Sequence, residues 1–274
     1  MAASIYQIFY SPQTKAMLDP GFVPLDNSTN ERPDWREFWP IRNFLMREKL
    51  DESRYYGFLA PNFFRRIGLR ASDVHADISQ AGLGFDVVSF SPYPDFASMF
   101  VNVFAQNVAT IPDMPDIAAA FARIAELPRD PRAIVNTACD TIFCNYFAAK
   151  PAYWRVWLSI NERLFAIAES RQGDLAERLN ATSGYLGAPV PNKVFLMERI
   201  SSYILAVDPR WKVWADPFNK QLRFPDVWGK HLPALRDLDA HKIAYRETGA
   251  VENLKAYYEL SARLRETVHG SMPA

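Results

Sequence analysis

Only two of the 274 residues are cysteine, Cys139 and Cys144. Two thiols build no disulfide framework, and no histidine follows them at ligand spacing. Both therefore read as small buried residues in a reducing compartment. Charge of one sign is missing as well, since 31 Lys and Arg balance 31 Asp and Glu. A phosphate-tracking surface brings an excess of Lys and Arg, so nucleic acid is not an expected partner. No apolar run reaches the about 18 residues that suggest a transmembrane helix. The opening MAASIYQIFY lacks the basic start and long apolar stretch of a secretory signal. Together these absences give the expectation of a soluble, cytoplasmic protein.

Catalytic motifs are equally scarce. There is no G-x-x-x-x-G-K-S/T phosphate loop, no G-x-G-x-x-G, no H-E-x-x-H, no C-x-x-C and no G-x-S-x-G. The run AGLGF at 81–85 has two glycines but no helix-opening third. The histidines, His75, His231, His241 and His269, are scattered and read as exposed or capping residues. Metalloenzyme and cysteine-hydrolase chemistry are thus disfavoured, and no resident cofactor or metal is expected. Internal repeats and Gly/Ser linkers are missing too.

What the chain does have is apolar mass: 49% of its residues are hydrophobic, 14% are aromatic, and 7 are Trp. By the usual scaling of surface with mass, a chain of this size hides roughly 73% of its ~45,000 Å² on folding. That suffices for one large domain, or a domain with a lobe, without disulfide or metal.

The apolar runs 5–10 (IYQIFY), 55–59 (YYGFL) and 86–90 (DVVSF) read as buried strands, and each stops at a turn residue or a proline. Residues 19–32, rich in Pro, Gly, Asp and Asn, read as a loop. A helix opens at Pro33 and Asp34, with Pro40 predicted to kink it or to divide it in two. Helices are expected over 96–108, 114–127, 151–170, 192–207, 233–247 and 251–268. A fourth strand is expected over 142–149 and a short one over 211–215. Strand, turn and helix in alternation give an α/β protein, or α+β with a mostly parallel sheet, whose loops gather at one edge.

Three constellations carry more polar chemistry than packing needs. The stretch VPLDNSTNERPDWREFW crowds Asp26, Asn27, Asn30, Glu31, Arg32, Asp34, Arg36 and Glu37 beside three aromatics. It reads either as a polar surface loop with Asp34 as a helix cap, or as a pocket in which carboxylate, amide and guanidinium bind hydroxyls and aromatic faces stack on rings. In the second, Asn145 stands within an apolar strand and needs hydrogen-bond partners, while Lys150 follows at the strand's end. In the third, Glu198 and Arg199 interrupt an apolar helix. They form a structural buried ion pair, or Glu198 has the raised pKa or the held charge that acid/base work uses.

Taken in order, YYGFLAPNF, FCNYFAAKPAYW and VFLMERISSYIL resemble bacterial glycosyltransferase-like proteins of capsular and exopolysaccharide gene clusters. More distantly, the chain is similar to GT-A glycosyltransferases. The resemblance spans about residues 4–215 and implies a GT-A-like, Rossmann-like, mostly parallel mixed sheet flanked by helices over residues 1–230. A C-terminal helical extension, 231–274, packs on it. It implies transfer of a sugar from a nucleotide-sugar donor to a glycan acceptor. Glu198 would be the catalytic base or orienter, and Asn145 and Lys150 would line the sugar pocket. Asp26, Asn27, Glu37 and Arg42 would contact donor or acceptor from the opposite wall, with Tyr10 and Arg199 completing the substrate-binding set.

The chain departs from the GT-A pattern in one respect. The strand YYGFL ends in Ala60-Pro61-Asn62-Phe63, where such enzymes place a metal-holding D-x-D. The chain's D-x-D, Asp237-Leu238-Asp239, lies late in a predicted helix and reads as a solvated face. Transfer is accordingly expected to be metal-independent, with Arg65, Arg66 or Lys150 neutralising the diphosphate. A non-catalytic carbohydrate-binding or polysaccharide-assembly protein is the alternative. A glycoside hydrolase needs a second carboxylate opposite Glu198, and spacing reveals none.

Overall fold

The computed structural model describes residues 2–185 and 188–268. In chain order these form β1 (Ala3–Phe9), α1 (Pro12–Lys15), β2 (Val23–Asp26), α2 (Phe38–Arg47), β3 (Tyr55–Leu59), α3 (Phe63–Ile67) and α4 (Ala71–Ala81). Next come β4 (Val87–Ser89), α5 (Pro94–Met99), α6 (Val103–Gln106), α7 (Met114–Ile124), β5 (Phe147–Ala149) and α8 (Pro151–Ser170). The chain continues through α9 (Gly173–Asn180), β6 (Thr182–Tyr185), β7 (Ala188–Pro191), α10 (Asn192–Val207) and β8 (Val213–Trp214). It closes with α11 (Pro225–Trp228), α12 (Leu232–Thr248) and α13 (Val251–Val268).

The protein is α/β, with a mixed, mostly parallel six-stranded sheet in the order β2-β1-β3-β5-β4-β8. Only β5 runs against its neighbours, β3 and β4. Strand periodicity divides the core into two layers. Tyr56, Phe58, Val87, Phe147 and Ala149 face a cluster with residues of α2, α7, α8 and α10. The alternate residues Ile5, Tyr55, Leu59, Val88 and Ala148 face α3 and α4. Gly57 is required where the strands meet most closely: a Cβ there would stand 3.0 Å from Ile5 Cδ1 and 3.1 Å from the Phe147 carbonyl oxygen.

The C-terminal helices form a third cluster, in which Leu235, Leu238, Tyr257 and Leu264 pack around Met99 of α5. Lys242 ties α12 to the same segment by donating to the Phe100 carbonyl at 3.1 Å. The D-x-D is split by this packing. Asp237 is exposed, but Asp239 is buried and accepts from the Ala138 backbone N–H at 2.6 Å, so a fully solvated face is not what forms.

Several boundaries differ from the sequence reading for local reasons. The predicted loop 19–32 contains β2, an edge strand whose Pro24 needs no partner on its open side. Pro40 neither kinks nor divides the helix, because it falls in the first turn of α2, where its missing N–H costs nothing. The division lies earlier, at Arg36, which has φ 49°. The span 96–108 splits into α5 and α6, Asn102 capping the latter through the Phe104 and Ala105 N–H groups. Residues 142–146 are not strand; β5 begins only at Phe147.

Candidate functional site

Because β5 is reversed, its start meets the ends of β3 and β4 at one edge of the sheet. A cavity of about 460 Å³ opens there. Ala60 and Arg66 enter it after β3, Tyr93 and Phe96 after β4, and Phe143, Cys144 and Tyr146 before β5. Arg36 and Glu37 arrive from the turn ahead of α2, and Arg223 and Phe224 from the segment ahead of α11. Helix α10 completes the wall with Val194, Phe195, Glu198 and Arg199, positions three and four apart that share a helix face.

Glu198 is the titratable centre. Burial pushes its carboxyl up to about 7; Glu37 pushes the same way, while Arg199, Arg66 and Arg36 oppose. Four guanidinium groups thus face two carboxylates in a chain whose net charge is zero. Arg66 Nη1 donates to Cys144 Sγ at 3.2 Å. Burial holds that thiol up to about 12, with Glu198 adding to the effect, so Cys144 is a neutral wall group and no nucleophile.

Backbone strain gathers at the same place. Arg36 (φ 49°), Tyr93 (φ 68°) and Cys144 (φ 60°) line the cavity, and Asn145 (φ 54°) adjoins it. Each positive φ costs about 1–2 kcal/mol for a non-glycine residue. Phe143 to Tyr146 close a tight turn, Tyr146 N–H donating to the Phe143 carbonyl at 3.2 Å. Positive φ at both central residues is the type I′ signature.

The expected site residues divide into three groups. Glu37, Glu198 and Arg199 do meet in the cavity. Asn145 sits just behind the wall, 2% exposed, its Nδ2 against Met197 Sδ at 3.2 Å. The others lie elsewhere. Lys150 follows the end of the reversed strand and so falls at the opposite edge, bonded to the Leu83 carbonyl and to Asp86. Asp26 and Asn27 line a separate cavity of about 330 Å³ with Trp39, Asn43 and Arg47. Arg42 pairs with Glu162 at 2.5 Å, and Tyr10 is 46% exposed outside the main cavity lining. Asp34 is no helix cap, because Arg32 and Lys193 both hold it in salt bridges.

Arg199 is committed to the fold, although it lines the cavity. Its Nε donates to the Val103 carbonyl at 3.0 Å and its Nη1 to the Phe195 carbonyl at 2.7 Å. Its Nη2 reaches Gln106 Oε1 at 3.0 Å and Asn107 Oδ1 at 2.7 Å.

No motif or spacing pointed to Tyr93, Gln106, Asn107 or Arg223. Arg223 is placed through its backbone: its N–H and that of Phe224 donate to the buried carboxylate of Asp95 at 3.0 and 3.2 Å. That leaves its guanidinium 5.5 Å from the Tyr93 ring centroid. No side-chain pattern marks such a placement.

Among the described residues, no three His, Cys, Asp or Glu side chains gather as metal ligands would, and no helix is long and apolar enough to cross a membrane. Compared with protein families, with curated proteins and with solved structures, the chain matches none.

Proposed function

We propose that the protein is a glycosyltransferase of GT-A-like fold, moving a sugar from a nucleotide-sugar to a glycan or polysaccharide acceptor. The observation that carries this reading is the cavity at the sheet edge, where Glu198, with its carboxyl near 7, stands among Arg36, Arg66 and Arg223. Open α/β sheets bind ligands at the carboxyl ends of their parallel strands. Guanidinium groups suit a diphosphate, and the rings of Tyr93, Phe96, Phe143 and Phe224 suit a base or a sugar face.

The chemistry follows from these groups. Ionised Glu198 takes the acceptor hydroxyl's proton as the new bond to the anomeric carbon forms. The bond from that carbon to the diphosphate breaks, and the departing oxygens gain charge that the arginines stabilise in a partly dry site. No D-x-D metal is invoked, since the chain's D-x-D lies in α12 with Asp239 in the core.

Glu37 supports a second reading. Spacing offered no partner for Glu198, but the fold brings this second carboxylate into the same cavity, as glycoside hydrolysis requires. A melting screen against UDP, GDP, CMP and their sugars, with Mn²⁺ or EDTA, separates the readings. Glycosyl transfer calls for a nucleotide-specific rise of a few degrees at ligand concentrations well above Kd. If EDTA removes the rise, the metal-independent form of the proposal is wrong. A rise with oligosaccharides alone favours hydrolysis or simple glycan binding, which release of reducing sugar then distinguishes.

A further inference from the structure

Two neighbouring carboxamides, Gln106 and Asn107, stand side by side in the cavity wall. Asn107 is 3% exposed, and its Oδ1 accepts from Arg199 Nη2. A guanidinium has donors only, so this bond fixes which end of the amide is oxygen. The Nδ2 group is left buried and without a hydrogen-bond partner. Gln106 repeats the arrangement, its Oε1 held by the same Nη2. Arg199 cannot turn away from either amide, because its Nε and Nη1 are anchored on the Val103 and Phe195 carbonyls. One nitrogen thus aligns two amides with both oxygens inward.

A buried donor without an acceptor is unfavourable, and an apolar side chain of similar size would fill the place without that cost. Such a group is accounted for if a ligand brings the acceptor. Glu198, next to Arg199 and lining the same cavity, supplies the complementary acceptor. A hydroxyl suits this pairing, because its oxygen accepts from an amide while its hydrogen turns to a carboxylate.

We infer that Asn107 and Gln106, oriented by Arg199, are a hydroxyl-binding pair that holds the sugar of the substrate against Glu198. The naming of a sugar rests on the glycosyl-transfer reading; the amide alignment stands without it. Arg199 is then a positioning residue, not a substrate contact.

Asn107→Asp tests this, since it keeps the side-chain size and the oxygen that Arg199 needs while replacing the free NH₂ by a second acceptor. Wild type and variant are titrated calorimetrically with nucleoside diphosphates, the corresponding nucleotide-sugars and free oligosaccharides. The expected result is a loss for the nucleotide-sugar about 10–100-fold larger than the loss for the bare nucleotide, whose diphosphate meets the same added charge. Arg199→Lys, which cannot align both amides, lowers the same sugar-dependent difference. Equal affinity of wild type and N107D for the nucleotide-sugar overturns the pair and leaves glycosyl transfer standing. Saccharide binding without nucleotide binding, lost in the variant, supports the pair and overturns glycosyl transfer. No binding of any probe to the wild type overturns both. If N107D does not melt cooperatively, Gln106→Glu at the half-buried neighbour is judged by the same criteria.

Discussion

At Glu198, protonation and the proposed function conflict. Its carboxyl rises from the ordinary 4.5 to about 7, burial being the main cause. Between those values the folded protein keeps a proton that the unfolded chain has released. The associated stability is therefore full below pH 4.5 and lost as pH rises through 7. Under the proposed glycosyl transfer Glu198 must be ionised to act as base, so activity should instead rise with pH, with a limb near 7 in kcat/KM. Glu198→Gln should separate the two effects. The variant should be more stable than wild type at pH 8, by about 3 kcal/mol from the shift just given, and should show little difference at pH 4.5. Its turnover should fall by about 10²–10⁴. Denaturant titrations at the two pH values and an initial-rate profile check this; an equal stability change at both would sink the assignment of a raised pKa. Arg66 offers a second test at this scale. Arg66→Met keeps much of the length and apolar stem but removes the charge beside Cys144. It should weaken nucleoside diphosphate more than a neutral saccharide, as calorimetry with both ligands would show.

At the scale of elements, the legible parts were those where one residue pattern decides the outcome. Strand β3 and helices α8 and α10 form over the residues the sequence indicates, because long apolar periodicity and a proline at the first turn of α8 leave little competition. Of the candidate site, Glu37, Glu198 and Arg199 were legible, as were Arg36 and Arg66 among the polar and basic candidates. The apolar run 142–149 reads as strand throughout, yet its first half turns through two left-handed residues and only three residues pair. Hydrophobicity does not report φ. Nor does it report strand direction, which is why Lys150 was expected at the ligand edge and stands at the other. The turn can be tested through Asn145, where Ala and Gly both delete the amide and its contact with Met197. In a strand, Ala would be the more stable replacement. At φ 54° the order should reverse, with Asn145→Gly more stable than Asn145→Ala by about 1 kcal/mol in urea titrations. The opposite order would mean that residues 142–149 are one strand after all.

For the whole molecule, the decisive relation is between the C-terminal helices and the cavity. Sequence alone places residues 231–274 as an extension that packs on a finished domain. The described helices α12 and α13 do pack, but on segments that shape the cavity. Asp239 takes the Ala138 N–H, Arg246 pairs with Asp140, and Lys242 donates to the Phe100 carbonyl. Lys242 is fully buried, and burial pulls its ammonium down to about 8 even with Asp239 near by, so its two carbonyl partners are needed to hold it. Phe224, in the cavity wall, also packs against the third cluster. Removing α12 and α13 would expose Met99, Val227 and Trp228, strip Asp239 from the Ala138 N–H and leave Asp140 buried without its arginine. The loss of a buried charge's partner alone costs about 3–5 kcal/mol, a large share of the stability of an ordinary domain. A chain ending at residue 230 should therefore show no cooperative thermal transition and should bind a hydrophobic dye. Leu238→Ala in the full chain is the graded version, expected to lose about 2–4 kcal/mol and to weaken ligand binding together with stability. Val74→Ala, on the buried face of α4, should lose stability while leaving the ligand affinity of the folded protein unchanged. If residues 1–230 melt cooperatively and bind the same ligand as the full chain, the C-terminal helices are an accessory and the cavity is built without them.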